Sequence, residues 1–160
     1  MRLNEYNAKI NKKTGLTELY KVKGFLYNNC TVQSVFFTSR DVVNLMNIVY
    51  SLNEKAEEYV YMISLNTKSK PFAIFEVSHG TVNTSLMPIR EIFIRALLSG
   101  AVSIIIVHNH PSGDPTPSPQ DIQITKKVKE AGEIIGISLQ DHIIIGDNNC
   151  YYSFYDNDFL

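Results

Sequence analysis

Three residues, His108, His110 and Asp121, have the types and the spacing of a metal site. His108 and His110 are separated by one residue at the end of an apolar run, so in a strand both imidazoles leave the same face. Asp121 follows in the first turn of the next predicted helix, after a proline-containing loop. Two nitrogens and one oxygen leave a fourth tetrahedral position open, which is typical of a catalytic zinc site rather than a closed structural one.

Water at such an open position would have its pKa lowered to about 7. A nearby carboxylate would then be needed to accept the proton and pass it on. Neutral imidazole and carboxylate are suitable ligands for Zn²⁺, although iron, manganese or nickel could occupy the same site in vitro.

A purely structural interpretation explains part of this pattern. Ser118 and Asp121 also suit the start of a helix, where side-chain oxygens accept backbone N–H groups. That interpretation leaves the two closely spaced histidines unexplained. The remaining histidines are expected to be structural, His142 within a strand and His79 in a turn beside Gly80.

Residues 108–121, HNHPSGDPTPSPQD, resemble the metal-binding motif of the JAB/JAMM metalloprotease-like family, and the RadC branch in particular. That motif has His-x-His, then seven residues, Ser, two residues and Asp, a spacing that this segment meets without a gap. The flanking stretches PIREIFIRALLSGA and LQDHIIIGD are similar to the same branch, so the resemblance covers roughly residues 39–148.

The resemblance implies a role for each position of the motif. His108, His110 and Asp121 would bind Zn²⁺. Ser118 would help to hold a water molecule or stabilise a developing oxyanion.

The same resemblance implies an upstream glutamate as general base, with three candidates. Glu58 matches best, because it opens EYVYMISLNTK, which is similar to the Glu-led strand of the family. Glu91 fits the acidic start of a helix, where it would favour the positive end of the helix dipole. Glu76 lies within a predicted strand and is the weaker rival.

The implied reaction is metal-assisted hydrolysis of an amide. A peptide or isopeptide bond is the leading substrate class, because JAMM relatives include isopeptidases that cut after a ubiquitin-like tail. One alternative is a metal-dependent enzyme acting on nucleic acid, in line with the historical DNA-repair label of RadC proteins. Another is a non-catalytic binding module that retains the zinc.

Composition gives the nucleic-acid alternative little support. The chain has 15 basic and 16 acidic residues, a net charge of −1, and therefore no overall affinity for a polyanion. The first 40 residues do not resemble the helix-hairpin-helix segment of longer RadC proteins. We therefore expect a short form without that segment, and a role in repair does not follow.

The surrounding pattern predicts a mixed α/β domain, a central mixed β-sheet flanked by helices, and the resemblance implies a JAB/MPN-like (cytidine-deaminase-like) fold. Residues 1–38 are expected to be an N-terminal lead-in with short strands at 16–22 and 31–37, loose and polar over 1–15, and residues 39–160 the domain itself. The domain is predicted to begin with a helix from Asp41, with Ser39 as its cap, and a hairpin of strands 59–65 and 72–77. An extended piece at 82–87, a helix from 89 to about 98 that Gly100 ends, and a buried strand at 102–107 follow. The last predicted elements are a helix from Pro119 to about Ile135, with Ile124, Val128, Ala131 and Ile135 on one face, and strands at 138–139, 142–145 and 151–154.

No apolar run in the sequence approaches the length of a membrane span, and the first residues are polar. The expectation is a soluble cytoplasmic protein without a membrane partner. Cys30 and Cys150 are the only cysteines, and they are expected to be unreactive thiols.

Overall fold

The computed structural model describes residues 2–26, 38–80 and 87–160, and these form a mixed α/β fold. The mixed sheet with flanking helices that the sequence predicts is confirmed. In chain order the strands are β1 Arg2–Ile10, β2 Thr17–Leu26, β3 Glu58–Leu65, β4 Pro71–Gly80, β5 Ser103–Asn109, β6 Ser138–Ile145 and β7 Tyr151–Ser153. The helices are α1 Ser39–Tyr50, α2 Ile89–Ser99 and α3 Pro119–Ile135, with single 3-10 turns at Leu52–Glu54 and Asp147–Asn149.

The strands form one sheet in the order β2-β1-β4-β3-β5-β6-β7. β5 is an interior strand, antiparallel to β3 on one side and parallel to β6 on the other. Every residue of β5 is buried, which confirms the prediction from its β-branched sequence that both faces are covered. β3 and β4 form the predicted antiparallel hairpin.

Helices cover both faces of the sheet, and β3 shows how the residues are divided between them. Tyr61 and Ile63 point into a core shared with α1, whereas Val60 and Met62 point into a core shared with α2 and α3. This alternation is the two-residue period of a strand buried on both sides. None of the helices within the described ranges combines the length and the apolar character that a bilayer crossing requires.

The expectation that residues 1–15 are loose is wrong, because β1 is a strand of the main sheet. β1 pairs with β2 over its whole length and runs parallel to β4, where Asn4 and Glu5 lie opposite Ala73 and Ile74. Leu3 is fully buried. The polar side chains of this segment give no strand pattern in the sequence, and its partner β4 lies about 70 residues later in the chain. The division at residue 39 stays a prediction.

Several predicted boundaries shift. The strand predicted at 16–22 is β2, and the extended pieces at 31–37 and 82–86, like Cys30, lie outside the described residues. His79 and Gly80 end β4 instead of forming a turn. The pieces predicted at 138–139 and 142–145 are one strand, β6, interrupted by a bulge at Gln140.

The helix termini partly follow the prediction. Gly100 ends α2 in the left-handed conformation, as expected. The cap of α1 is Thr38, not Ser39, because the Thr38 hydroxyl is the one that accepts the N–H of Asp41. Ile135, placed on the inner face of α3, is 41% exposed, because the face that meets the sheet begins at Asp121 and passes through Thr125 and Val128.

Candidate metal centre

The candidate site lies where the end of β5 meets the start of β3, on the sheet face covered by α2 and α3. His108 pairs with Val60 of β3, so Glu58, two residues earlier on the same face, lies beside the histidines. His108 is fully buried, while the Glu58 side chain is 13% exposed and can meet solvent. The loop after β5 returns the chain to the start of α3, which brings Asp121 to the same place.

Four side chains converge there. The Nε2 atoms of His108 and His110 are 3.1 Å apart, and Glu58 Oε1 is 3.8 Å from His108 Nε2. Asp121 places Oδ1 3.3 Å from His108 Nε2 and Oδ2 3.5 Å from His110 Nε2. One ligand atom from each of Glu58, His108 and His110 lies within 4.8 Å of the other two.

Asp121 is oriented by the start of its own helix. Ser118 donates both its backbone N–H (2.8 Å) and its hydroxyl (2.6 Å) to Asp121 Oδ2, and the Ser118 hydroxyl oxygen accepts the Asp121 N–H (3.2 Å). This capping box occupies Oδ2 and leaves Oδ1 facing His108. The capping interpretation and the ligand interpretation of these two residues are therefore compatible.

The electrostatics of the site favour an ionised Asp121. Burial would raise the pKa of the Asp121 carboxyl, but the adjacent imidazoles of His108 and His110 and the hydrogen bonds from Ser118 hold that pKa well below its usual range. The Asp121 carboxylate in turn raises the pKa of His110, against the opposing effect of partial burial.

Each histidine is held through its other ring nitrogen. His110 Nδ1 donates to the Asp114 carbonyl (2.8 Å), so the Nε2 that faces His108 carries a lone pair in the neutral ring. His108 Nδ1 contacts His142 Nε2 at 2.8 Å. Partners of this kind fix the orientation and tautomer of metal-binding imidazoles.

His142 and Thr125 have a part in the site that the sequence did not reveal. His142 is fully buried and stacked on Phe154, as a structural histidine would be, yet its ring also contacts His108 and the Thr125 hydroxyl. The signal in the sequence was LQDHIIIGD, which carried the family resemblance but no role for His142.

Asn109 is a second residue that sequence reasoning missed, and it fixes the position of Glu58. Its Oδ1 accepts the N–H of Tyr59 (2.8 Å), while its Nδ2 donates to the carbonyls of Glu57 (3.0 Å) and Lys55 (3.4 Å). Asn109 therefore bonds the backbone on both sides of Glu58. Its position between the two histidines was the signal that could have drawn attention to it.

The structure brings Glu58, and not its two rivals, to the histidines of the motif. Glu76 contacts His79 (3.1 Å) and the hydroxyl of Tyr61 (3.4 Å), whose ring belongs to the α1 side of the sheet. The Glu91 carboxylate pairs with Arg95, one turn later in α2, and with Arg90.

The residues fit a divalent cation. In the described part of the chain, the ion pairs of Glu58 and Asp121 are made with histidines, and no lysine or arginine pairs with either carboxylate. Two facing imidazole nitrogens flanked by two carboxylates form a concentrated set of electron-pair donors, which a dication compensates. Nitrogen and oxygen donors of this kind suit Zn²⁺ among other first-row ions.

Comparison with known proteins agrees with the resemblance seen in the motif. A UPF0758 protein of Clostridium perfringens is 42% identical over 153 residues, which cover 96% of this chain and 65% of that protein. One of Clostridium acetobutylicum is 43% identical over 143 residues (88% and 60%), and one of Desulforudis audaxviator is 54% identical over 91 residues (57% and 40%). The chain thus spans between 40% and 65% of the length of these relatives. The sequence profile of the RadC-like JAB domain matches residues 36–159, and the chain belongs to this family.

Proposed function

We propose that this protein is a metal-dependent hydrolase of amide bonds, with Zn²⁺ as its ion and a peptide or isopeptide bond in a protein or peptide as its substrate. The observation that carries the proposal is the convergence of two histidine Nε2 atoms and two carboxylates at the end of β5. Membership of the RadC-like JAB family supports it.

In this proposal the ligands are His108 Nε2, His110 Nε2 and Asp121 Oδ1. Asp121 is assigned as a ligand rather than Glu58 because its Oδ2 is already held by Ser118 and its Oδ1 faces His108 directly. Glu58 lies further from His108 and is the more exposed of the two carboxylates. An ion held there supplies a Lewis acid that polarises a carbonyl and lowers the pKa of water.

Glu58 is the proposed general base. It accepts a proton from the attacking water as the oxygen bonds to the substrate carbonyl carbon, and it delivers that proton to the amine when the C–N bond breaks. This task requires a carboxylate that is held in place and open to solvent. Asn109 provides the first condition, and the partial exposure of the Glu58 side chain provides the second.

Ser118 acts first through Asp121. Its hydroxyl proton is committed to Asp121 Oδ2, so Ser118 orients a ligand and caps α3 at the same time. Stabilisation of an oxyanion by Ser118, which the family resemblance implies, requires its hydroxyl to turn from Asp121 toward the substrate.

The first test separates the metal ligands from the base. Metal content and thermal unfolding are measured for the wild type and for His108→Ala, Asp121→Asn and Glu58→Gln, with Glu76→Gln as a control carboxylate. We expect about one zinc per chain in the wild type, in Glu58→Gln and in Glu76→Gln, and loss of zinc in the other two variants. Zinc should also raise the melting temperature only where it binds, because it stabilises the folded state.

The second test concerns the reaction. A peptide library that includes isopeptide-linked substrates is incubated with the zinc-loaded wild type, Glu58→Gln and Glu76→Gln, beside single-stranded and duplex nucleic acid. Cleavage of peptides by the wild type and by Glu76→Gln, but not by Glu58→Gln, is the expected result. A wild type that takes up no zinc, or a Glu58→Gln variant with full activity, would refute the corresponding assignment.

A further inference from the structure

We propose that His142 and Thr125 are positioning residues that fix the tautomer of His108, so that the Nε2 of His108 presents a lone pair to the metal. This inference rests on the metal site of the proposed function, and it names residues outside the JAMM motif on which that site depends.

A chain of three contacts leads from His108 into the body of the protein. His108 Nδ1 lies 2.8 Å from His142 Nε2, and His142 Nδ1 lies 2.6 Å from Thr125 Oγ1. Thr125 Oγ1 lies 2.5 Å from the backbone carbonyl oxygen of Asp121, one helical turn earlier in α3. His108, His142 and Thr125 are all fully buried, so water does not replace any of these partners.

Counting protons fixes the direction of every bond in this chain. The carbonyl of Asp121 has no proton to donate, so the single hydroxyl proton of Thr125 must lie in that contact. Thr125 Oγ1 then accepts from His142 Nδ1–H. A neutral His142 has its lone pair on Nε2 and accepts from His108 Nδ1–H, which leaves the lone pair of His108 on Nε2.

Both ring nitrogens of His142 have a partner in this series of contacts. His142 Nε2 accepts from the imidazole of His108, and His142 Nδ1 donates to the hydroxyl oxygen of Thr125. Because the His142 ring is fully buried, solvent does not compete for either nitrogen.

The consequence appears where His108 meets His110. His110 donates its Nδ1–H to the Asp114 carbonyl, so its own Nε2 carries a lone pair as well. The two Nε2 atoms are 3.1 Å apart, and two neutral rings in these tautomers have no proton to place between them. This pair of lone pairs is suited to a shared cation.

Replacing Thr125 with valine tests the chain with little change of shape. Without the Thr125 hydroxyl, the buried Nδ1–H of His142 has no acceptor, which costs free energy. The tautomer of His142 with its proton on Nε2 avoids this cost and becomes the more stable one. That proton would point at His108 Nδ1, which must then accept. The proton of His108 would move to Nε2, where it opposes metal binding. Thr125→Ser keeps the hydroxyl and is the matched control.

The experiment has two readouts that do not depend on catalysis. The first is zinc affinity of the full chain, measured by competition with a chromophoric chelator. Loss of an outer-shell partner of this kind lowers metal affinity by about 10- to 100-fold, and we expect that loss in Thr125→Val but a change within about twofold in Thr125→Ser. The second is the ring-nitrogen NMR spectrum of the zinc-free protein, which reports the tautomers of His108 and His142 directly.

The outcomes separate this inference from the proposed function. Retention of zinc by His108→Ala would overturn the metal site itself. Zinc binding that is lost in His108→Ala but unchanged in Thr125→Val would overturn only the role of Thr125 and His142. A wild-type spectrum with the His142 proton on Nε2 would overturn the inference even if Thr125→Val does not fold.

Discussion

Substitution of Ser118 by alanine should separate the capping function of this residue from its effect on the site. The chain contains a second capping box of nearly the same geometry at the start of α1. There Thr38 donates its N–H (3.0 Å) and its hydroxyl (2.8 Å) to Asp41 Oδ2 and accepts the Asp41 N–H (3.2 Å). Thr38→Ala therefore removes the same two side-chain hydrogen bonds at a position where they orient no ligand.

The expected losses of stability differ because of burial. Removal of an N-cap side chain costs about 1 kcal/mol, and this estimate applies to the exposed Thr38. The partly buried Ser118 hydroxyl also donates to an ionised carboxylate, a bond that contributes about 1.5–3 kcal/mol. We expect the free energy of unfolding to fall by roughly 2–3 kcal/mol in Ser118→Ala and by about half as much in Thr38→Ala.

Urea unfolding of the zinc-free proteins and chelator competition for zinc measure the two effects. Zinc affinity should fall by about 10-fold or more in Ser118→Ala, because Asp121 Oδ2 loses the hydrogen bond from the Ser118 hydroxyl, and should not change in Thr38→Ala. An equal loss of zinc affinity in both variants would indicate a general effect of helix capping. Unchanged affinity in Ser118→Ala would refute the claim that the capping box orients the ligand.

Three further predictions concern two residues close to the site and one acid on the α1 side of the sheet. Asn109→Ala removes three partly buried hydrogen bonds beside Glu58, and urea unfolding should show a loss of about 3 kcal/mol. Gly146→Ala places a methyl group against the Gly113 carbonyl, so it should cost about 1–3 kcal/mol in the same assay and weaken zinc binding by shifting the loop after β5. Burial raises the pKa of Asp141 despite its hydrogen bonds, so the folded state favours the protonated acid. The free energy of unfolding should therefore fall as pH rises from below the ordinary carboxyl pKa through the raised pKa of the folded state. The free energies of unfolding of the wild type and Asp141→Asn are compared between pH 3 and pH 7. A difference between the two proteins that stays constant over this range would contradict the prediction.

The sequence predicts those parts of the fold that depend on local patterns. The apolar run of β5, the Pro119 start of α3 and the Gly100 stop of α2 each follow from neighbouring residues, and the structure confirms them. β1 could not be predicted in this way. Its polar side chains are partly or largely exposed while its backbone pairs with β2 and β4, and pairing between segments about 70 residues apart leaves no periodic signal in β1 itself.

The same distinction applies to the site. The motif residues are close in sequence, so their spacing alone suggested that they converge, and the structure places them together. The parallel pairing of β5 with β6 brings His142 to His108. Asn109 of β5 reaches the backbone beside Glu58 at the start of the neighbouring strand β3. A hydrogen bond between residues 34 or 50 positions apart has no signature in a single sequence.

In the proposed site, one carboxylate would serve as both helix cap and metal ligand, and this has a physical advantage. At the start of α3, Asp121 accepts the backbone N–H of Ser118 as well as the Ser118 hydroxyl, so the main chain sets part of its orientation. The positive end of the helix dipole also favours the ionised form of Asp121, which a cation requires. The cap commits Oδ2 to Ser118, and only Oδ1 remains available. In the proposed site Asp121 would therefore hold the ion through Oδ1, on the side that faces His108, while Glu58 stays free to act as the base.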